Sequence, residues 1–207
     1  MSDKSKKTLI HFVSQAWLVI LLGLVFGTAL AAVEIALKPR ILENIRQKTL
    51  REVPKIFTMV QNPKIEELEL ALPDSKFATV LKVTDNNQTI GWVFPGKGQG
   101  FADRIELLVA VDAQAQHIVG ISVLKQSETP GLGDYITKLS EPFRMAYASG
   151  KLNTGKAIIV RKPTENPDPL KNEVEAISGA TISSEAVTKI VNQTVALFKP
   201  IINKGDE

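Results

Sequence analysis

The chain has 207 residues, 44% apolar and 23% charged, with a formal net charge of +3 and mean hydropathy of +0.04, as expected of a globular protein with an apolar segment added. It has no cysteine and two histidines, which excludes disulfides, thiolate catalysis, Cys-x-x-Cys-His haem attachment and iron–sulfur ligation, and argues against a histidine-built metal centre. Its 25 basic and 22 acidic residues form no basic block beyond the flank of the apolar segment, so nucleic-acid binding has no support.

Residues 1–15 are a short polar tail containing Lys4, Lys6 and Lys7. From Ala16 to Val33 no charge occurs, and Ile35, Ala36 and Leu37 extend the run past Glu34. At the helical rise, eighteen residues span about 27 Å, close to the hydrocarbon thickness of a bilayer, so residues 16–37 predict a transmembrane anchor. A cleaved secretory signal is the alternative, because Ala29-Leu30-Ala31 has the small-x-small form of a cleavage site; its apolar core, however, would be shorter than this run. Either way the remainder is exported. Counting charge leaves the orientation open, with three basic residues before the span and five (Lys38, Arg40, Arg46, Lys48, Arg51) soon after it.

Residues 38–76 are expected to form a helical connector. Ile41, Leu42, Ile45 and Leu50 recur at roughly helical spacing, and Pro54 is the expected end of that helix. Residues 77–207 are the expected soluble domain. Phe77–Val83, Thr89–Phe94, Arg104–Val111 and His117–Leu124 are β-rich runs separated by turn residues, which predicts an antiparallel meander. Gly96-Lys97-Gly98-Gln99-Gly100 between two of them reads as a mobile hairpin turn rather than a phosphate loop, although glycine there would also let backbone approach a cofactor. A helix over Tyr135–Ala148, a strand over Ala157–Val160 and an irregular loop over Lys162–Glu173 follow. The fold class is α+β: an antiparallel sheet flanked by helices, preceded by one N-terminal transmembrane helix.

The last helix is announced by Ala186, Val187, Ile190, Val191, Val195, Leu197 and Phe198 at helical spacing. Before it stands Glu175-Ala-Ile-Ser-Gly-Ala-Thr-Ile-Ser-Ser184, in which Gly179 permits backbone geometry closed to other residues and Thr181 brings a hydroxyl to the helix start. Free amides and the positive dipole end there suit a phosphate. Ser178, Thr181, Ser183 and Ser184 would equally serve as ordinary turn and cap residues, with Ser183 or Ser184 as the cap. No Gly-x-Ser-x-Gly signature accompanies these hydroxyls, so a Ser-His-Asp hydrolase has no support.

Ser178-Gly-Ala-Thr181, followed by a serine-rich helix start, resembles the flavinylation motif of the FMN-binding domain family. Ser127-Glu-Thr-Pro-Gly-Leu-Gly-Asp134 resembles a second motif of the same family, in the expected order. Where the family pattern opens with Asp, this chain has Glu175, which keeps the carboxylate. The resemblance implies FMN bound covalently to Thr181 through a phosphoester. Ser178, Gly179, Ala180, Ser183 and Ser184 would surround it, and Thr129, Leu132 and Gly133 would contact the flavin or its phosphate. It implies a separate flavin transferase, partner subunits of a membrane electron transport complex, a cytoplasmic tail over residues 1–15, and a soluble FMN-binding domain over residues 77–207 on the periplasmic side of a bacterial inner membrane. The implied activity is electron relay within an ion-translocating ferredoxin:NAD oxidoreductase. The alternatives are a subunit of a sodium-translocating NADH:quinone oxidoreductase and a cofactor-free, membrane-tethered assembly module.

Overall fold

The computed structural model describes residues 3–58, 60, 63–72 and 77–205. Met1 and Ser2 of the expected tail, residues 73–76 at the end of the expected connector, and Asp206 and Glu207 lie outside the described residues. The chain divides into two units, Met1–Gln47 and Lys48–Glu207.

In the first unit the described residues are all helical, within α1 (Asp3–Ile56). This helix is long and apolar enough to cross a membrane, its apolar window having a mean hydropathy of 2.4. The helix does not stop at Pro54 as expected but continues to Ile56. A proline this close to a helix end removes one backbone bond and leaves few residues beyond it to be disturbed.

The second unit is built on a five-stranded antiparallel sheet in chain order: β1 (Lys64–Ala71), β2 (Phe77–Asp85), β3 (Gln88–Gln99), β4 (Arg104–Asp112) and β5 (Ile118–Lys125). The predicted meander is thus present, with one strand added at its edge. β1 falls within the stretch expected to be helical, and it pairs along its whole length with β2. Its Glu- and Leu-rich composition favours a helix locally, but the ladder and the half-burial of Ile65, Leu68 and Leu70 outweigh that preference.

Alternation along the strands divides the core in two. Val80, Trp92, Phe94, Ile105, Leu107 and Val109 face one side, where they meet α3 (Thr181–Gly205) through Val187, Ile190, Val191 and Phe198. Leu81, Val83, Val93, Leu108 and Ala110 face the other, covered by Val53 in the last turn of α1 and by Phe57 just after it. Burial on both faces explains why β4 reads as a nearly unbroken apolar run.

Two of the three glycines of 96–100 prove to be strand residues. Gly96 and Gly98 pair with Leu107 and Ile105, and the turn comes later, where Gly100 N donates to Asp103 O at 2.8 Å. A Cβ on Gly96 would lie 2.5 Å from Thr194 Oγ1, and one on Gly98 would lie 2.6 Å from Ile190 Cγ1. The missing side chains form a trough for α3. The same device recurs on the opposite face, where Gly91 and Gly120 make room for Phe57 and Ile56.

The helix expected over 135–148 is split. A 3-10 turn spans Gly133–Thr137 and α2 spans Pro142–Ala148, with Glu141 extended between them. Pro142 cannot follow a helical residue without clash, so it opens a new helix instead of continuing the old one. The strand expected over 157–160 appears as β6 (Ile159–Arg161), paired in parallel with β7 (Glu173–Glu175).

α2 sends Tyr147 into the core, fully buried, its hydroxyl 2.8 Å from Thr188 Oγ1. Burial raises the phenol's pKa, against the smaller lowering effect of Thr188. The native state therefore holds this proton more tightly than the unfolded chain, and the stability it contributes is intact below about pH 10 and lost as pH rises beyond it. Tyr147→Phe is expected to cost about 1 kcal/mol at neutral pH and to flatten the alkaline fall relative to wild type in urea unfolding at about pH 8 and about pH 10.5. Parallel curves would remove Tyr147 as the cause.

Candidate functional site

α3 begins at Thr181, immediately after Gly179 at φ +76° and Ala180, so the positive-φ glycine stands where the sequence places it. The first helical bond runs from Ser184 N to Ala180 O at 3.0 Å, leaving the amides of Thr181, Ile182 and Ser183 ahead of the ladder. Ser183 and Ser184 do not cap the helix, because both lie inside its first turn and are buried. Ser184 Oγ accepts from Ile177 N and donates to Ala180 O, each at 3.0 Å, stitching the turn before the helix to its first residues. Ala180 is buried, while Ser178 and Gly179 are exposed. Thr181 is half-buried, and its hydroxyl makes no hydrogen bond among the described residues.

The second motif folds against the first. Leu132 N and Asp134 N both donate to Thr129 O, at 3.2 and 3.3 Å, with Gly131 at φ +77° inside the turn. This places Leu132 over Gly179, where an added Cβ would come within 2.9 Å of Leu132 Cδ2. Leu132 is nonetheless 44% exposed. Gly133 is buried, and its missing side chain leaves space taken by Glu128 Cβ and Ser183 Oγ, each 2.8 Å from a built Cβ. Thr129 is exposed at the loop's start.

Glu128 stands within the second motif, but nothing in the sequence marks its role. It is 4% exposed, accepting from Ser183 Oγ at 2.5 Å and from Ala102 N at 3.2 Å. Periodicity carries no signal for it, since its partners are 26 and 55 residues away in sequence. Beside the site, Asp134 Oδ1 is buried without a hydrogen-bond partner among the described residues. A groove of about 170 Å³ lies between Tyr135, Pro142 and Phe143 on one side and Glu175 and Ser178 on the other.

The bond from Ser183 to Glu128, 55 residues apart in sequence, closes the two motifs on one another at the start of α3. Residues 100–196, which contain both, match the FMN-binding domain family. The chain is 35% identical over 109 residues, 53% of its length, to the subunit named G in the proton-translocating ferredoxin:NAD(+) oxidoreductase complex of Clostridium ljungdahlii, covering 54% of that protein. It is 30% identical over 151 residues, 72% of its length, to the subunit of the same letter in the Na(+)-translocating ferredoxin:NAD(+) oxidoreductase complex of Acetobacterium woodii, covering 64% of it. The chain thus spans less than two thirds of the length of these relatives. The crystal structure of NqrC from Shewanella oneidensis superimposes with a TM-score of 0.52 at 25% identity, over 69% of this chain and 68% of that one.

The residues of the matched segment suit the flavin nucleotide. A hydroxyl without a protein partner among the described residues stands at the helix-start amides, with exposed Ser178 and Gly179 beside it and the exposed apolar side chain of Leu132 above. A phosphate matches the first group and an aromatic ring edge the second.

Proposed function

We propose that the chain is a membrane-anchored electron-transfer subunit with FMN bound covalently to Thr181, working within an Rnf-type ion-translocating ferredoxin:NAD oxidoreductase complex. The observation that carries this is the Thr181 hydroxyl at the mouth of α3, without a partner among the described residues and held between the two motifs of an FMN-binding domain. FMN would supply the capacity to take up and release electrons one or two at a time.

The chain's own residues do the holding. Gly179 turns the backbone so that Thr181 opens the helix, and the helix-start amides and dipole favour a phosphate's charge. Attachment forms a bond from Thr181 Oγ1 to the flavin phosphate and breaks the phosphoanhydride of a flavin dinucleotide donor, releasing a nucleoside monophosphate and the hydroxyl proton. A phosphate monoester alone is too poor a donor, which calls for the dinucleotide, and its delivery is assigned to a separate flavin transferase. Leu132 covers the exposed side of the turn, and Thr129 shapes the loop that presents it. α1 anchors the domain in a bacterial inner membrane with the FMN-binding domain on the periplasmic side, where a lost soluble cofactor would not readily be replaced. The span has no intramembrane charge but Glu34 at its edge, so ion passage belongs to partner subunits.

The test is intact mass and in-gel fluorescence of the full chain, exported and co-expressed with a flavin transferase. An FMN-sized increase that survives denaturation is expected. An unmodified chain beside a labelled control flavoprotein would leave the cofactor-free assembly module. A narrower expectation concerns Leu132. Replacing it by Ala should leave the adduct mass in place and change the absorption band shape and fluorescence yield of the attached flavin; an unchanged spectrum would remove Leu132 from contact. The likeness to NqrC fits a sodium-translocating NADH:quinone oxidoreductase as a second setting for the same domain, but the relatives with the higher identities are ferredoxin:NAD(+) subunits.

A further inference from the structure

We infer that Glu128 is a positioning residue for the attachment hydroxyl, acting on Thr181 through Ser183 and holding a fixed negative charge against the helix turn that bears it. The inference rests on the covalent-FMN reading above and adds to it a role for a residue outside the attachment motif.

The first observation is the cost of the arrangement. A carboxylate that is 4% exposed is unfavourable unless its oxygens are hydrogen-bonded, and an apolar side chain would fill the space at less expense. Both Glu128 oxygens are engaged, Oε2 by Ser183 Oγ and Oε1 by Ala102 N. Its backbone amide is also engaged, donating to Gln126 Oε1 at 2.5 Å.

The second is the cradle. A Cβ on Gly100 would lie 2.3 Å from Glu128 Oε1, and one on Gly133 would lie 3.1 Å from Oε2. Two separate loops thus leave out a side chain to admit this one. Packing alone would be met by filling those spaces rather than by clearing them.

The third is where the side chain ends. It joins the β3–β4 turn, the Thr129–Gly133 loop and the first turn of α3. Ser183 is two residues after Thr181 in that turn, so fixing Ser183 fixes the rotation of the turn and the side of it from which Thr181 projects. α3 has no acidic residue in its own first turn. Glu128 supplies that charge through space, where the helix dipole stabilises it.

A hydroxyl presented from a held side of the turn reacts faster with a bound donor than one that wanders. A fixed negative charge close to the attachment point also opposes added electrons, so it draws the flavin's midpoint potential to more negative values.

The experiment uses the full chain, exported with a flavin transferase. It compares wild type, Glu128→Gln, Glu128→Ala, Ser183→Ala and the Glu128→Ala/Ser183→Ala double variant. Adduct formation is followed by intact mass over time, and the midpoint potential of labelled protein by redox titration. Gln satisfies both partners, since its amide oxygen accepts from Ala102 N while its NH₂ donates to Ser183, whose hydroxyl reverses to accept. Glu128→Gln should therefore label at the wild-type rate and show a more positive potential, a readout that a merely structural role would not move. Glu128→Ala and Ser183→Ala should each label about tenfold or more slowly, with no further loss in the double variant. Should Glu128→Ala fail to fold, Ser183→Ala and Glu128→Gln still decide the matter. Wild-type labelling in Ser183→Ala, or losses that multiply in the double variant, would overturn the positioning role. An unchanged potential in Glu128→Gln would overturn the charge effect. A wild-type chain without adduct would instead overturn the covalent reading itself.

Discussion

Thr181→Val is expected to leave the chain with no covalent flavin, seen as loss of the FMN mass increase and of fluorescence in the denatured band. Valine keeps the shape of threonine and puts a methyl in place of the hydroxyl, so the start of α3 is preserved. The hydroxyl makes no hydrogen bond among the described residues, so its removal strands no partner there and should change stability by no more than about 0.5 kcal/mol. The neighbouring hydroxyls are poor substitutes. Ser184 is fully buried and bonded at both ends of the turn, and Ser183 is buried and donates to Glu128. Of the motif's other hydroxyl residues only Ser178 is exposed. Ser178→Ala should therefore label normally, and an adduct persisting on Thr181→Val but vanishing in Ser178→Ala would move the attachment point.

The largest effect on stability should come from Phe198→Ala. Phe198 and Phe94 stack with ring centroids 5.1 Å apart and planes 9° from parallel, 2% and 0% exposed. They join the far end of α3 to the middle of β3, next to the glycine trough. Truncating an enclosed aromatic leaves a cavity that a packed sheet cannot close, at about 3–5 kcal/mol. In urea unfolding the midpoint should fall steeply at unchanged slope. Leu197→Ala, one residue away but 40% exposed, is the control and should cost about 1 kcal/mol or less. Equal losses would mean that α3 is held by its general apolarity and not by this contact.

How far the sequence can be read depends on the range of each interaction. The meander from Phe77 to Leu124 is legible because a period of two is local, and the α3 stripe because Val187, Ile190, Val191 and Phe198 repeat within one helix. Gly179 is legible as a backbone special, since a positive φ is a property of one residue. β1 is not, because Glu66, Glu67 and Glu69 look helical until the β2 ladder is in place. Gly96 and Gly98 read as a turn for a similar reason. Their meaning lies in Thr194 and Ile190, far along the chain on α3. At the site, motif resemblance points to Thr181 and the Thr129–Gly133 loop. It does not reveal that Gly133 and Ser183 are shaped around Glu128, which only the tertiary contact shows.

The burial of Val53 and Phe57 on the sheet bears on how this domain is to be handled in isolation. A soluble fragment cut at the start of β1 or β2 would lose the layer over Leu81, Val83, Val93, Leu108 and Ala110, together with the Ser122 to Glu52 hydrogen bond of 2.9 Å. That wet apolar face would invite aggregation. A fragment opening at Lys48 keeps the last turns of the helix as a lid on the sheet, so the working boundary for excising the domain lies inside an α-helix, well before the first strand.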